Sequence, residues 1–147
     1  GNDIVLGSAF NDVFRWNAAG TNWASIEFLD GGLGNDSIKG TAGNDVIDLT
    51  GLTLTSIENI DGASGDDTIT GTAGADTITG GVGMDVLSGA GGNDTFLVVG
   101  DGDLDTIDGG DGTDTVQSVR SGTRASVFVS ILEKRPSRPP TAGCCSA

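Results

Sequence analysis

The sequence predicts an all-β fold, a parallel β-roll (a β-helix or solenoid) in which tight turns alternate with short strands. The chain has 147 residues and only 5% aromatic residues, so a thick sandwich or bundle core is hard to build. It contains 26 Gly, many more than a packed domain needs. A nine-residue pattern recurs through most of residues 1–117, and a fixed short period is typical of a solenoid.

The repeat is clearest in two adjacent copies, 31–39 (Gly-Gly-Leu-Gly-Asn-Asp-Ser-Ile-Lys) and 40–48 (Gly-Thr-Ala-Gly-Asn-Asp-Val-Ile-Asp). Degenerate copies occupy 1–6 and 7–15, and the remaining copies begin at Gly62, Gly71, Gly80, Gly89, Gly100 and Gly109. The sixth position is Asp in all ten copies: Asp3, Asp12, Asp36, Asp45, Asp67, Asp76, Asp85, Asp94, Asp105 and Asp114. The eighth position is apolar in all ten: Val5, Phe14, Ile38, Ile47, Ile69, Ile78, Leu87, Phe96, Ile107 and Val116.

Each repeat supplies one turn and one strand. The first six positions are rich in Gly, Asn and Asp, which accept the positive-φ conformations of tight turns, and the last three favour a strand. Because side chains alternate along a strand, position eight faces inward while positions seven and nine face water. Two repeats then make one coil, and coils stack with their position-six Asp residues above one another.

Two segments interrupt the repeats, at 16–30 and 49–61. We interpret them as wider, metal-free coils whose apolar residues continue the core: Trp23, Ile26, Phe28, Leu29, Leu54, Ile57 and Ile60. These spacers leave the turns at 31–36 and 40–45 without clear stacking partners. Phe10 and Asp103 stand where the fourth Gly of a repeat is expected, which puts their turns in doubt.

The chain divides into three parts: degenerate repeats with the two spacers (1–61), a β-roll with regular repeats (62–117), and a basic tail (118–147). Residues 1–117 hold 20 acidic residues against Arg15 and Lys39, whereas the tail holds five basic residues, all three Pro and both Cys. The tail is expected to be irregular, either disordered or the product of a shifted reading frame, although 125–132 could add one strand.

Composition excludes several functions. The absence of His removes Ser-His-Asp and Cys-His catalysis and His-ligated zinc. A formal net charge of −14 repels nucleic acid and anionic lipid surfaces and favours multivalent cations. No apolar run is long enough for a membrane span. We therefore predict a non-enzymatic protein with cations as its partners.

The stacked carboxylates point to a cation. Unit charges about 4.8 Å apart repel by roughly 3.5 kcal/mol per pair at an effective dielectric constant near 20. Carboxylates and turn carbonyls, with no His or thiolate in the repeats, are hard oxygen ligands that favour Ca²⁺ over transition metals. Mg²⁺ fits less well because it needs a tighter octahedron.

The Gly-Gly-x-Gly-x-Asp-x-apolar-x blocks resemble the repeats-in-toxin (RTX) family, also called haemolysin-type calcium-binding repeats. The resemblance implies a β-roll that folds on several Ca²⁺ ions, in a bacterial protein exported by type I secretion to the extracellular space. By position, it implies these calcium ligands: Asp36, Asp45, Asp67, Asp76, Asp85, Asp94, Asp105 and Asp114.

Two other readings of the resemblance stay open. The chain could be a fragment of an extracellular RTX enzyme (a protease, lipase or polysaccharide epimerase) that lacks its catalytic domain. A third hypothesis is a spacer in an adhesin or surface-layer protein, and both hypotheses imply a larger parent polypeptide. Separately, Trp16, Trp23 and Phe28 could form an exposed sugar-binding platform, although aromatic residues in wide coils more often belong to the core.

Overall fold

The structure is a computed structural model that describes residues 3–16, 23, 26–99, 103–119 and 126–129. These residues form strands and turns and contain no helix. This described part of the chain contains fourteen strands: β1 (Asp3–Leu6), β2 (Val13–Arg15), β3 (Ile26–Asp30), β4 (Ser37–Lys39), β5 (Val46–Asp48), β6 (Thr53–Thr55), β7 (Asn59–Ser64), β8 (Thr68–Thr70), β9 (Thr77–Val82), β10 (Val86–Ser88), β11 (Thr95–Val99), β12 (Leu104–Asp108), β13 (Thr115–Val119) and β14 (Ser126–Val129).

The strands form three parallel sheets that wind around one axis. A six-stranded sheet has the order β13-β11-β9-β7-β4-β2, a five-stranded sheet has the order β14-β12-β10-β8-β5, and a three-stranded sheet has the order β1-β3-β6. Successive strands of the chain alternate between sheets and pair with the strand one coil away. This is the parallel β-roll that the sequence predicts.

Position eight lines the core, as the alternation of the strands requires. Ile69 pairs with Leu87 and Ile78 pairs with Phe96, so in the regular repeats an inward side chain stacks on its equivalent 18 residues later. The insertion Val98-Val99 lengthens this spacing, and Leu87 pairs with Ile107. The buried position-eight residues have relative exposures of 0% or 1%: Ile38, Ile47, Ile69, Ile78, Leu87, Phe96 and Ile107.

The spacers widen the coil by adding a third strand. Strands β3 and β6 lie in the spacers and pair with each other, with Leu29 opposite Leu54. The expectation that the turns at 31–36 and 40–45 lack stacking partners is wrong. Strand β4 pairs with β2 and β7, and β5 pairs with β8. Each spacer adds one strand and then brings the next repeat into register with the repeat of the previous coil.

The two tryptophans of the first spacer belong to the core. Phe28 does not continue the core as expected, because it is only half-buried and alternates along β3 with the buried Leu29. Trp16 is 9% exposed and lies in the buried apolar cluster, and Trp23 packs against that cluster. The two indole rings are 5.3 Å apart between centroids and tilted by 54°. This arrangement favours the core over an exposed sugar platform.

The basic tail, expected to be irregular, contains the one strand that the sequence allowed within 125–132. Strand β14 continues the five-stranded sheet by pairing with β12, with Ile107 opposite Val129. Apart from residues 118, 119 and 126–129, the tail lies outside the described residues, as does the Cys pair.

Two alanines occupy a backbone conformation that favours glycine. Ala63 and Ala90, at position two of their turns, have φ of 85° and 68°, whereas Gly32, Gly81 and Gly110 hold positive φ at the same position. A left-handed conformation costs a residue with a Cβ roughly 1–2 kcal/mol. The two turns therefore carry avoidable strain.

We expect Ala90→Gly to relieve roughly 1–2 kcal/mol of backbone strain in the calcium-loaded protein. The greater conformational freedom of glycine in the unfolded chain offsets about 0.4–1 kcal/mol of this gain, so the net change should be a stabilisation. The measurement is urea unfolding at saturating calcium. Ala73→Gly is the matched control, since Ala73 lies in a turn without positive φ among its residues, and it should destabilise or change nothing. Equal shifts for both variants would contradict the strain at position 90.

Candidate metal centre

Within the described residues, acidic side chains form three ladders of three or more members along the edges of the roll. Ladder A runs beside the five-stranded sheet through Asp45, Asp67, Asp85 and Asp105. Ladder B runs beside the six-stranded sheet through Asp76, Asp94 and Asp114. Ladder C precedes it on the same edge and joins Asp12, Asp36 and Glu58.

Each ladder is a chain of backbone-to-carboxylate hydrogen bonds. The amide N–H of one Asp donates to Oδ1 of the Asp one coil later, at 2.8 Å from Asp45 to Asp67 and 2.9 Å from Asp67 to Asp85. The same bond joins Asp76 to Asp94 at 2.9 Å. The ladder bond thus engages Oδ1 of each receiving carboxylate and does not engage Oδ2.

In the middle of the ladders that second oxygen is buried without a hydrogen bond. The Oδ2 atoms of Asp36, Asp67 and Asp94 are shielded from water and have no donor. Their residues are 0%, 1% and 1% exposed. A buried carboxylate oxygen without a partner is costly unless a cation or a donor compensates it. The ladders therefore supply the electrostatic reason for a bound cation.

The glycine at position one leaves room beside these oxygens. A Cβ on Gly62 would collide with Asp67 Oδ2 and would lie 2.5 Å from the Gly80 carbonyl oxygen. A Cβ on Gly89 would likewise collide with Asp94 Oδ2 and lie 2.6 Å from the Gly109 carbonyl oxygen. Glycine is needed here for close approach, and the resulting cradle is lined by oxygen atoms.

The donor set fits calcium. Among the described residues, no three Asp, Glu, Cys or His side chains cluster as a ready-made metal site. A cation at a turn would therefore bind one or two carboxylates and complete its shell with backbone carbonyls, as Ca²⁺ does readily. All eight Asp residues predicted as ligands lie in ladders A, B and C, and all except Asp114 are buried.

Two glutamates in the spacers take the place of a position-six Asp, and sequence reasoning missed this role. Glu58 Oε2 accepts the amide N–H of Asp36 at 2.5 Å, and Glu27 Oε2 accepts that of Asp3 at 2.7 Å. The signal in the sequence was the Ser-Ile-Glu shared by residues 25–27 and 56–58. Glu58 therefore extends ladder C into the second spacer, whereas Asp3 and Glu27 form a separate pair beside the three-stranded sheet.

The turns fall into two classes that differ at position two. Where this residue is Gly or Ala it has positive φ, and its amide N–H faces away from the position-six carboxylate: Ala63 N–H donates to Asp61 Oδ1 at 3.0 Å. Where it is Ser or Thr, the N–H and the hydroxyl both donate to the position-six carboxylate. Thr72 makes these bonds to Asp76 Oδ2 at 2.7 Å and 3.0 Å.

This second class explains why Phe10 is tolerated at position four. In the Gly and Ala turns position four has positive φ, as at Gly65 (110°) and Gly92 (112°), but in the Thr turns Gly43 and Gly74 do not. Phe10 follows Ser8 and likewise does not have positive φ. Its amide N–H donates to Ser8 Oγ at 3.2 Å, as that of Gly43 does to Thr41. Residues 100–102 of the turn before Asp103 lie outside the described residues.

Burial perturbs the carboxylates of the ladders. Desolvation raises the pKa of Asp67 to about 6, against the lowering effect of the hydrogen bond from Asp45. Desolvation also raises the pKa of Asp94 to about 6. It raises the pKa of Asp76 too, against the lowering effect of the hydrogen bonds from Thr72. In the absence of a cation, these groups resist ionisation in the fold.

Acid should therefore stabilise the calcium-free protein. A folded-state pKa raised to about 6 contributes stability that is fully present below the unfolded value near 3.8 and is lost as pH rises through about 6. In chelator, the circular dichroism signal of strands should rise as pH falls from 7 to about 4.5. The double variant Asp67→Asn, Asp94→Asn should flatten this change, and an unaltered pH profile in that variant would contradict the assignment.

Comparisons with known proteins address the family. A family model described as the RTX calcium-binding nonapeptide repeat matches four segments, 1–15, 24–51, 61–96 and 97–117, which together make up more than half of the chain. Comparison with curated proteins gave no match. The described residues contain no helix with the length and hydrophobicity that a membrane crossing would need.

Proposed function

Since the chain belongs to the RTX calcium-binding nonapeptide repeat family, we propose that it is a non-catalytic β-roll module that folds on calcium outside the cell. The family and the parallel solenoid make the chain a calcium-binding β-roll. The finer proposal is that Ca²⁺ drives folding, and that low calcium before export and high calcium afterwards determine where the module folds. Export by a type I system and a larger parent polypeptide are part of this proposal.

The observation that carries the proposal is the set of buried, unpartnered Oδ2 atoms on Asp36, Asp67 and Asp94. Each lies beside a position-one glycine and backbone carbonyl oxygens. We assign as ion ligands the position-six carboxylates of the turns with Gly or Ala at position two, together with Asp105: Asp36, Asp67, Asp85, Asp94, Asp105 and Asp114. Asp45 and Asp76, which the sequence grouped with them, have a different partner and are considered below.

Calcium supplies positive charge between the stacked turns when it is bound. The residues of the chain do the rest: the amide of Asp45 holds Asp67 Oδ1 in place, and Gly62 leaves the space beside Oδ2 open. The strands then bury one apolar side chain per repeat. Ion binding and core formation are thus coupled, because the turn and the strand belong to the same nine residues.

The test compares two neighbouring carboxylates by calcium titration. Asp67→Asn removes the charge of a buried ladder residue, so we expect the calcium concentration at half-folding to rise severalfold. Asp66→Asn is the matched control: Asp66 is exposed, and Asn keeps the Oδ1 acceptor that it offers to the amide of Met84. Isothermal titration calorimetry and circular dichroism give the midpoints. Equal midpoints for the two variants would contradict the role of the buried carboxylate.

A further inference from the structure

The first turn of each carboxylate ladder is built differently from the turns that follow it. Within the described residues, ladders A, B and C begin at Asp45, Asp76 and Asp12, each of which donates its amide N–H to the next carboxylate. These are also the turns with Ser or Thr at position two: Ser8, Thr41 and Thr72. The coincidence holds for all three ladders.

In these first turns the chain itself satisfies the carboxylate oxygen that lies in the glycine cradle. The N–H and hydroxyl of Thr41 donate to Asp45 Oδ2 at 2.6 Å and 2.9 Å, and those of Ser8 donate to Asp12 Oδ2 at 2.6 Å and 2.9 Å. In the later turns of the ladders, the same oxygen of Asp36, Asp67 and Asp94 has no donor.

The conformation of position two produces this difference. With positive φ, the N–H of Gly32, Ala63 or Gly110 points to the outer Asp two residues earlier, at 3.0–3.2 Å. Without positive φ, the N–H of Thr72 points to the carboxylate inside its own turn at 2.7 Å. The Thr hydroxyl also accepts the amide N–H of Gly74 at 3.1 Å, which closes the turn.

We propose that position two decides whether a turn takes an ion, and that the turns at 7–12, 40–45 and 71–76 are ion-free caps that begin the ladders. In a cap, two protein donors occupy the carboxylate oxygen that a cation occupies elsewhere. This inference rests on the proposed function, because it assigns calcium to the remaining turns.

The cap at 71–76 offers the sharpest test. Asp76 has hydrogen bonds to both carboxylate oxygens, since Thr72 Oγ1 also lies 3.3 Å from Oδ1, whereas Asp45 Oδ1 is left without a donor. Thr72 is 5% exposed, so water does not readily replace its hydroxyl. The next turn of the same ladder contains Asp94, which serves as the comparison residue.

The experiment counts calcium ions bound per folded chain by equilibrium dialysis at saturating calcium. We expect Asp76→Asn to keep the wild-type number and Asp94→Asn to bind at least one ion fewer. If Asp76→Asn loses as many ions as Asp94→Asn, the cap is wrong and the calcium module stands. If the wild-type chain binds no calcium, the proposed function itself fails. If the wild type binds calcium but neither variant loses an ion, Asp94 is not a ligand and the contrast between cap and ion-binding turn is wrong.

A second pair of variants covers the case in which either Asn variant does not fold. Thr72→Val removes the hydroxyl at nearly constant shape, and we expect a severalfold rise in the calcium concentration at half-folding, whereas Thr72→Ser should stay close to wild type. Thr68→Val, at an exposed strand position, is the control for the substitution itself. Equal calcium concentrations at half-folding for Thr72→Val and the wild type would contradict the assignment of the turn at 71–76 as a cap.

Discussion

Removing calcium should abolish most of the β-structure of this chain. Residues 1–117 carry 20 acidic residues against two basic ones, and the Oδ2 atoms of Asp36, Asp67 and Asp94 are buried without a donor. The opposing gain is one buried apolar side chain per nonapeptide, which is small for a domain of this length. We therefore expect a largely disordered chain in chelator at pH 7.

Circular dichroism during a calcium titration measures this effect. Strand signal should appear cooperatively at about 10⁻⁴–10⁻³ M Ca²⁺, the range of extracellular modules. The control replaces calcium with sodium chloride of equal ionic strength, which screens exposed charges but cannot coordinate buried oxygens. Full strand content in chelator, unchanged by millimolar calcium, would contradict folding on the ion.

Phe96→Ala should be among the most damaging substitutions in the core. Phe96 is fully buried and stacks between Ile78 and Val116 of the neighbouring coils. Truncating a buried Phe to Ala typically costs 3–5 kcal/mol, because the surroundings close the cavity only in part. In this narrow roll, the loss weakens two coil interfaces at once.

Urea unfolding at saturating calcium gives the size of the loss. Val86→Ala is the control. Val86 lies on β10, the strand that precedes the strand of Phe96 in the chain, and its side chain is 48% exposed, so we expect a change in the free energy of unfolding below about 0.5 kcal/mol. The calcium midpoint of Phe96→Ala should rise as well, since ion binding and core packing stabilise the same coils. Similar losses for the two variants would mean that position eight does not line the core.

Much of the fold follows from the repeat itself. An Asp at position six and an apolar residue at position eight in all ten copies require alternating turns and strands, and the structure confirms both. The strands of the spacers were harder to foresee. Whether 49–61 returns the chain in register depends on pairing between distant residues such as Leu29 and Leu54, which a local pattern does not contain.

The sequence predicts that the candidate site is built from Asp side chains, but it does not predict that the turns fall into two classes. All the turns share Asp at position six, so the pattern treats Asp76 and Asp94 as equivalent. The distinction depends on the sign of φ at position two and on a hydroxyl bond within the turn at Thr72. The role of Glu58 was not predicted for a related reason, since it joins ladder C from a spacer that lacks the nonapeptide.

The stacking of coils also governs how the molecule would respond to tension along its axis. Each strand bonds only to the coils before and after it, with Ile60 opposite Ile78 and Ile78 opposite Phe96. Tension along the axis would load the hydrogen bonds of one coil at a time, as in unzipping. Each rupture would release about 18 residues, roughly 60 Å of extended chain, so the roll would lengthen in discrete steps.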